Sequence, residues 1–503
     1  GRLEEAIESC GRAISLDPGL VLGYCGLGAA LWEAGQYHGA ADALQAALAI
    51  DPERPEVHNW MGQVCKSLGY LDQAVSAYRQ ALAVRPDYAE AHFNLAVLLG
   101  ELHRPVEAIA SYSAALTFRS DYADAHINLG SALLKQERAG EAITSFRRAL
   151  ELKPGSASAW FNLGRALEDE RRFHEAIAAY ARAIAIEPGF AEAHWHRALV
   201  LLATGEYESG WEEFEWRRKL PELRLEDRNF AEPLWDGSPL EDRTILVHAE
   251  LGAGDTLQFA RFIPMVAARG GKVVLECEPE LTRLLGAMPA LAQVVGRGEP
   301  LPPIDCHIAL ESLPRLFRTR RASIPSELPY LPCQAWSGRI PVLPAGLGLR
   351  IGIAWRGASR PNSSRSLSLR QLAPLFRLPG ITWYSLQAGE SREELAQLAE
   401  AREVQDLLPL IRDTTDSAGL LGQLDLVICA DNTMARLAGG LGLPVWVLLS
   451  FSADWRWGAD GGDCAWYPTA RLLRQPRAGD WASVIEEARR ALLVLTLPVS
   501  GNP

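Results

Sequence analysis

The sequence has no C-x-x-C pair, no D-x-D, no long apolar run and no excess of basic charge. Each absence removes a class of function. The eight cysteines (Cys10, Cys25, Cys65, Cys277, Cys306, Cys333, Cys429 and Cys464) are scattered, which argues against a disulfide framework and a structural zinc site. They fit free, mostly buried thiols of a reducing compartment. No stretch approaches the roughly 20 apolar residues of a membrane helix, and no signal peptide is recognisable, so a cytoplasmic protein is expected. Lys and Arg number 50 against 62 Asp and Glu, a formal charge of −12. That argues against nucleic acid as a general partner, since phosphate neutralisation needs clustered cations. The chain begins without Met inside a helical pattern (GRLEEAIESC) and reads as a truncation.

What is present is 48% apolar and 22% charged residues, an ordinary globular composition, in 503 residues, enough for two or three domains. Asp17-Pro, Asp51-Pro, Arg85-Pro, Arg119-Ser, Lys153-Pro and Glu187-Pro open blocks that start 34 residues apart. Leu27-Gly28, Leu129-Gly130 and Leu163-Gly164 recur in the first helix of three of the blocks. Ala74, Ala108, Ala142 and Ala176 recur in the next, followed by Tyr78, Tyr112, Phe146 and Tyr180. Small residues let two helices approach, and the aromatic fills the gap to the next pair. This pattern resembles the tetratricopeptide repeat, with six full units and a partial one over 1–220.

Such arrays are binding surfaces. Asn94, Asn128 and Asn162 hold one position in three consecutive first helices, whereas Gly26, Trp60 and His196 hold it elsewhere. If that position faces the groove, the three amides form a ladder that grips an extended peptide backbone, since a carboxamide both donates and accepts. The arrangement is similar to the asparagine array of O-linked N-acetylglucosamine transferases. The alternative is a tolerated polar residue on a solvated face. His58, His92, His126 and His194 recur at an aromatic packing position; successive repeats stand too far apart for them to share a metal ion.

Periodicity changes after Lys219. Residues 221–242 (with AEPLWDGSPLEDR) read as a connector. Strand candidates Ile245–Val247, Lys272–Leu275, Gln293–Val295 and His307–Leu310 then alternate with helical stretches over 243–334. A Pro/Gly-rich link spans 335–348. A second series over 349–503 starts at Arg350 and includes Ile381–Leu386, Asp425–Cys429 and Pro444–Leu449, before a last helix near Asp480–Leu495. Buried strands alternating with helices predict two Rossmann-like lobes, so the fold class is an α-solenoid followed by α/β, with ligands beyond the carboxyl ends of the strands.

The stretch HAELGAGDTLQFARFIP leaves the first strand through a glycine turn. Gly252-x-Gly254, with Glu276 ending the next strand, has the outline of a dinucleotide loop, but Leu257 stands where the third glycine belongs. Asp255 is a sharper objection, because a pyrophosphate at this helix start would meet a fixed negative charge. A carboxylate there is suited to stay ionised and accept a proton, or merely to cap its helix.

ELGAGDTLQFARFIP, WDGSPLEDRTILV, CADNTMARLAGGLGLPVWVLL, and DWRW followed by WYPTARLLRQPRAGDW together resemble bacterial tetratricopeptide-repeat glycosyltransferases. Their catalytic part is similar to the heptosyltransferases of lipopolysaccharide synthesis, which have the GT-B fold. The resemblance implies a nucleotide-sugar donor, a protein acceptor in the repeat groove, no cofactor, and Asp255 as the general base. Arg356, Arg365, Asp431, Asn432, Thr433 and Arg436 become candidate donor-diphosphate residues, and Gln387 a candidate nucleotide contact. The absence of D-x-D fits helix dipole and arginine, rather than a metal, meeting the leaving diphosphate. Two departures bear on activity: Asn432 stands for the family's Thr and Arg436 for its His, which loses a group able to shed a proton. An inactive scaffold with the same architecture is the competing expectation.

Overall fold

The computed structural model describes residues 2–223, 225, 228, 230–332, 340–344, 348–356 and 367–496. It contains two compact units, Gly1–Glu170 with Arg182–Pro188, and Arg171–Ala181 with Gly189–Pro503.

The first unit is helical. After helix Arg2–Leu16, pairs follow at Val21–Glu33 and Tyr37–Ile50, Pro55–Ser67 and Leu71–Val84, Ala89–Glu101 and Pro105–Phe118, and Ala123–Lys135 and Ala139–Leu152. Helix Ala157–Asp169 opens the next pair. The small-against-large packing expected from the repeats is present. A Cβ on Gly62 would fall 2.5 Å from the Tyr78 ring, on Gly130 2.7 Å from Phe146, and on Gly28 2.9 Å from Leu44. Within each pair the turn needs one residue of positive φ. Gly35 (75°) and Gly69 (80°) supply it in the early repeats, and His103 (55°), Glu137 (59°) and Arg171 (57°) take it at the same register further on.

The recurring histidines have a role beyond packing. Nε2 of His58, His92 and His126 lies 2.8, 2.9 and 3.0 Å from the carbonyl six residues earlier, and Trp160 Nε1 donates to Pro154 O at 3.0 Å. The shared property is a ring N–H that reaches back and closes the turn between repeats.

Besides Arg171–Ala181 the second unit holds helices Ala191–Thr204 and Tyr207–Phe214, so the last helical pair belongs with the sheets rather than ending as a separate array. Its first sheet comprises β1 (Thr244–His248), β2 (Lys272–Cys277), β3 (Gln293–Gly296) and β4 (Cys306–Ala309). These are parallel, in the order β3-β2-β1-β4. The second comprises β5 (Leu349–Ala354), β6 (Ile381–Ser385), β7 (Gln405–Asp406), β8 (Leu426–Ala430), β9 (Val445–Leu449) and β10 (Ala470–Arg474). It too is parallel, in the order β10-β9-β8-β5-β6-β7. In both, the chain reverses direction across the sheet beside the first strand, between β1 and β4 and between β5 and β8. Such reversals open a crevice at the strand ends.

The connector is not wholly irregular: Leu234 bridges to His307, and Trp235 N donates to His307 O at 2.9 Å, extending the edge beyond β4. Phe230 covers Leu246, Val274 and Val295 on the outer face. One continuous apolar cluster runs through both sheets, joining Trp211, Phe259 and Leu275 to Val427, Leu437 and Trp466. Helices Leu369–Phe376 and Trp481–Thr496 cover the far face of the second sheet over Ile351, Ile353 and Trp383. Arg261 and Arg283 also join the two layers. Arg261 donates to Trp466 O (2.7 Å) and Tyr330 OH (3.0 Å), and Arg283 to Asp413 (2.7 Å) and Asp416 (2.5 Å). Among the described residues no helix is long and apolar enough to cross a membrane.

Candidate functional site

The loop after β1 is held on every side. Both oxygens of Glu311 accept from Glu250 N at 3.1 Å, and one accepts from Leu251 N at 3.0 Å. Arg297 donates to Ala249 O at 2.8 Å, and Arg217 and Arg218 both bond the Glu250 carboxylate. Burial pushes the Glu311 carboxyl up to about 7, against the pull of Arg217 and with the help of Glu250. The loop then enters helix Ala253–Phe259 with Gly252 as its extended N-cap. Asp255 stands in the first turn of that helix.

Its carboxylate meets two guanidinium groups from the second sheet's side. Arg456 bonds it directly, and Arg436 Nη1 lies 3.6 Å away. Arg436 reaches in the other direction to Asp431, at 3.6 Å, and Arg456 to Asp454, at 2.8 Å. Gly254 makes this possible, since a Cβ there would fall 2.5 Å from Arg436 Nη1. Three carboxylates thus face two guanidinium groups at the point where the strand ends of the two sheets meet. Burial pulls Arg436 down, but Asp255, Asp431 and Asp454 more than restore it and raise it above its ordinary value, so its charge is permanent. Burial, then the neighbouring Asp454, raises the Asp431 carboxyl, whereas Arg456 and Arg436 hold Asp454 low despite its burial. Among the described residues the buried Nε atoms of Arg436 and Arg456 meet no hydrogen-bond partner, which leaves cationic donors unspent beside Asp255.

The remaining expected residues are placed differently. Asn432 caps helix Thr433–Gly440, accepting from Ala435 N at 3.2 Å, and its Nδ2 donates to Ala354 O at 3.1 Å. Its amide therefore fastens β8 to β5 and starts the helix that carries Arg436. Thr433 is half-buried as the first residue of that helix. Gln387 accepts from Arg356 N at 2.9 Å and donates to Ala388 O at 2.8 Å, so its amide is spent on the loops after β5 and β6. Arg356 engages Ser391 (3.3 Å) and Glu394 (3.8 Å) instead of the Asp431–Arg436 group. Arg365 lies outside the described residues. Glu276, the ribose carboxylate of a dinucleotide loop, is buried and bonded to Arg228. Asp454 and Arg456 were not anticipated. Their signal was an acid and a base alternating with tryptophans (Asp454-Trp455-Arg456-Trp457).

In the repeats, Asn94, Asn128 and Asn162 are all half-buried. Asn94 Nδ2 donates to Asn59 Oδ1 at 3.0 Å, which joins consecutive repeats and leaves its own oxygen for a further donor. Among the described residues no group of His, Cys, Asp and Glu is arranged to hold a metal ion.

Residues 32–69 and 62–102 match the family described as TPR repeat, and 102–157, 127–189 and 161–214 that described as tetratricopeptide repeat. The N-terminal region is made of tetratricopeptide repeats. The chain is 27% identical over 334 residues to protein FlbA of Caulobacter vibrioides (strain ATCC 19089 / CIP 103742 / CB 15), a match covering 59% of this chain. It spans about half of that relative, 54% of its length. Among solved structures it is similar to YrrB, described as a TPR protein with an unusual peptide-binding site (21% identity, 37% of this chain and 97% of that one, TM-score 0.34). It is also similar to PilF of Pseudomonas aeruginosa (21%, 44% and 95%, TM-score 0.36).

Proposed function

We propose that the chain is a metal-independent glycosyltransferase of the GT-B, heptosyltransferase-like kind. It moves a sugar from a nucleotide-sugar donor to a protein recruited by the repeats. One observation carries the proposal: Asp255, beyond the first sheet, faces Arg436 and Arg456, beyond the second, where two parallel sheets of Rossmann order bring their strand ends together. A donor diphosphate entering there exchanges Asp255 for itself on the two guanidinium groups, whose unspent N–H donors suit an oxyanion. Asp255 is then free to take the proton of the acceptor hydroxyl. As that oxygen bonds to the sugar's anomeric carbon, the bond to the diphosphate breaks, and Arg436 and Arg456 meet the charge that leaves.

A second reading is favoured by the same contacts. With its carboxylate bonded by Arg456 and an arginine at 436, the region resembles a locked scaffold that binds partners through its repeats without turnover. A thermal-shift series with UDP, GDP, ADP and their sugar conjugates separates the two. A donor present at about 100 times its Kd raises stability by about 2.7 kcal/mol. Asp255→Asn should then keep donor binding and lose transfer by about 100-fold or more. Binding without any transfer in the wild type supports the scaffold, and no stabilisation by any nucleotide overturns the glycosyltransferase.

A further inference from the structure

A fully bonded, buried side chain of the second unit lies outside the Asp255 group. Arg217 sits on the short turn Glu215–Lys219 that ends the last helical pair, and it is 0% exposed. Nε and Nη2 donate to Glu250 (3.0 and 2.7 Å), Nη2 also to Ser312 Oγ (2.8 Å), and Nη1 to Glu215 (2.9 Å) and Phe214 O (3.3 Å). All five guanidinium donors have acceptors, a satisfaction that a lysine's three donors on a different geometry cannot reproduce. The acceptors come from three separate segments: the end of the repeats, the loop after β1 and the loop after β4. Packed apolar residues often replace a buried ion pair without loss of stability, so stability alone does not call for this charge. Its geometry gives a reason, because Glu250 belongs to the loop that leads into Asp255.

We infer that Arg217 is a positioning residue, through which the last helical pair fixes the loop that presents Asp255. Its catalytic consequence rests on the glycosyltransferase reading, whereas its structural part does not. The test uses the full chain, with amide hydrogen exchange across 249–257 as the primary readout. In Arg217→Lys those amides should exchange about tenfold faster or more, while amides of 21–170 keep wild-type rates. Glu250→Gln, which alters the same junction from the loop side and leaves Arg217 bonded to Glu215, should act in the same direction; it carries the test if the lysine variant fails to fold. In donor hydrolysis or transfer, kcat should fall by about 100-fold at most with the donor KM unchanged, as expected for a displaced reacting group. Unchanged loop exchange in a folded variant overturns the inference. If the loop loosens but wild-type protein turns over no nucleotide sugar, the positioning stands and the glycosyltransferase reading falls.

Discussion

Gly254 and Arg436 occupy the same few ångströms, one as backbone and the other as a guanidinium 2.5 Å from where a Cβ would stand. Gly254→Ala should therefore dislodge Arg436 from Asp255 without adding or removing charge. The expected result is a folded protein that loses donor stabilisation in the thermal-shift series. Unaltered donor binding would show that Arg436 has room to retreat while still serving the ligand. Glu311 supports a pH experiment. Its carboxyl is raised from an ordinary 4.5 to about 7, so the folded state binds its proton more tightly than the unfolded chain does. Its stabilising contribution is complete below pH 4.5 and is lost as pH rises towards 7. Glu311→Gln removes this term, so the variant should gain stability relative to wild type between pH 5 and pH 8, measured by urea midpoints. A constant difference across that range would mean that the loop shields the charge more fully than its burial implies.

At the scale of elements, the turns within the helical pairs are uneven. Glycine at 35 and 69 takes a left-handed φ at little cost, whereas Glu137 takes φ 59° with a side chain that disfavours it. Glu137→Gly should stabilise the array, by about 1 kcal/mol at most, because the lost strain exceeds the extra entropy of the unfolded glycine. A destabilised variant would show that interactions of the Glu137 side chain matter more than its backbone. The spacing of these elements was legible because each helix repeats the same contacts. Eight of the ten strands were legible too, each as an apolar run. The other two were not. β7 is only Gln405–Asp406, too short for any period to show, and β10 begins Ala470-Arg471-Leu472 with Arg471 exposed, which reads as a return segment. Asn432 stood out as a departure from the family pattern; in the structure it is the N-cap, a place where asparagine is among the preferred residues.

At the scale of the whole molecule, Asp255 and Arg436 could be singled out in the sequence because each lies in a continuous motif. Asp255 could not be paired with Arg456 there, since only the fold brings positions so far apart in the chain together. Gln387 and Arg356 show the converse: their motif marked the end of a strand, but which atoms their side chains bond depends on neighbours that no spacing reveals. The strand order has a further consequence, for the time course of folding. Each helical pair of the first unit closes on residues only a few turns away, so it can form as soon as it leaves the ribosome. The sheets cannot close so early: β1 meets β2 soon after, but its other partner, Cys306–Ala309, is made long after it, and β5, once paired with β6, still waits for Leu426–Ala430 on the far side of two intervening strands. Refolding from urea should separate accordingly, with most far-ultraviolet helical signal returning first and the fluorescence of buried Trp355, Trp457 and Trp466 recovering in a slower phase. A single rate for both signals would show that the array and the sheets wait for one another. Two rates would mean that, during synthesis, a folded helical array is already in solution while the strands behind it are still unpaired and open to aggregation.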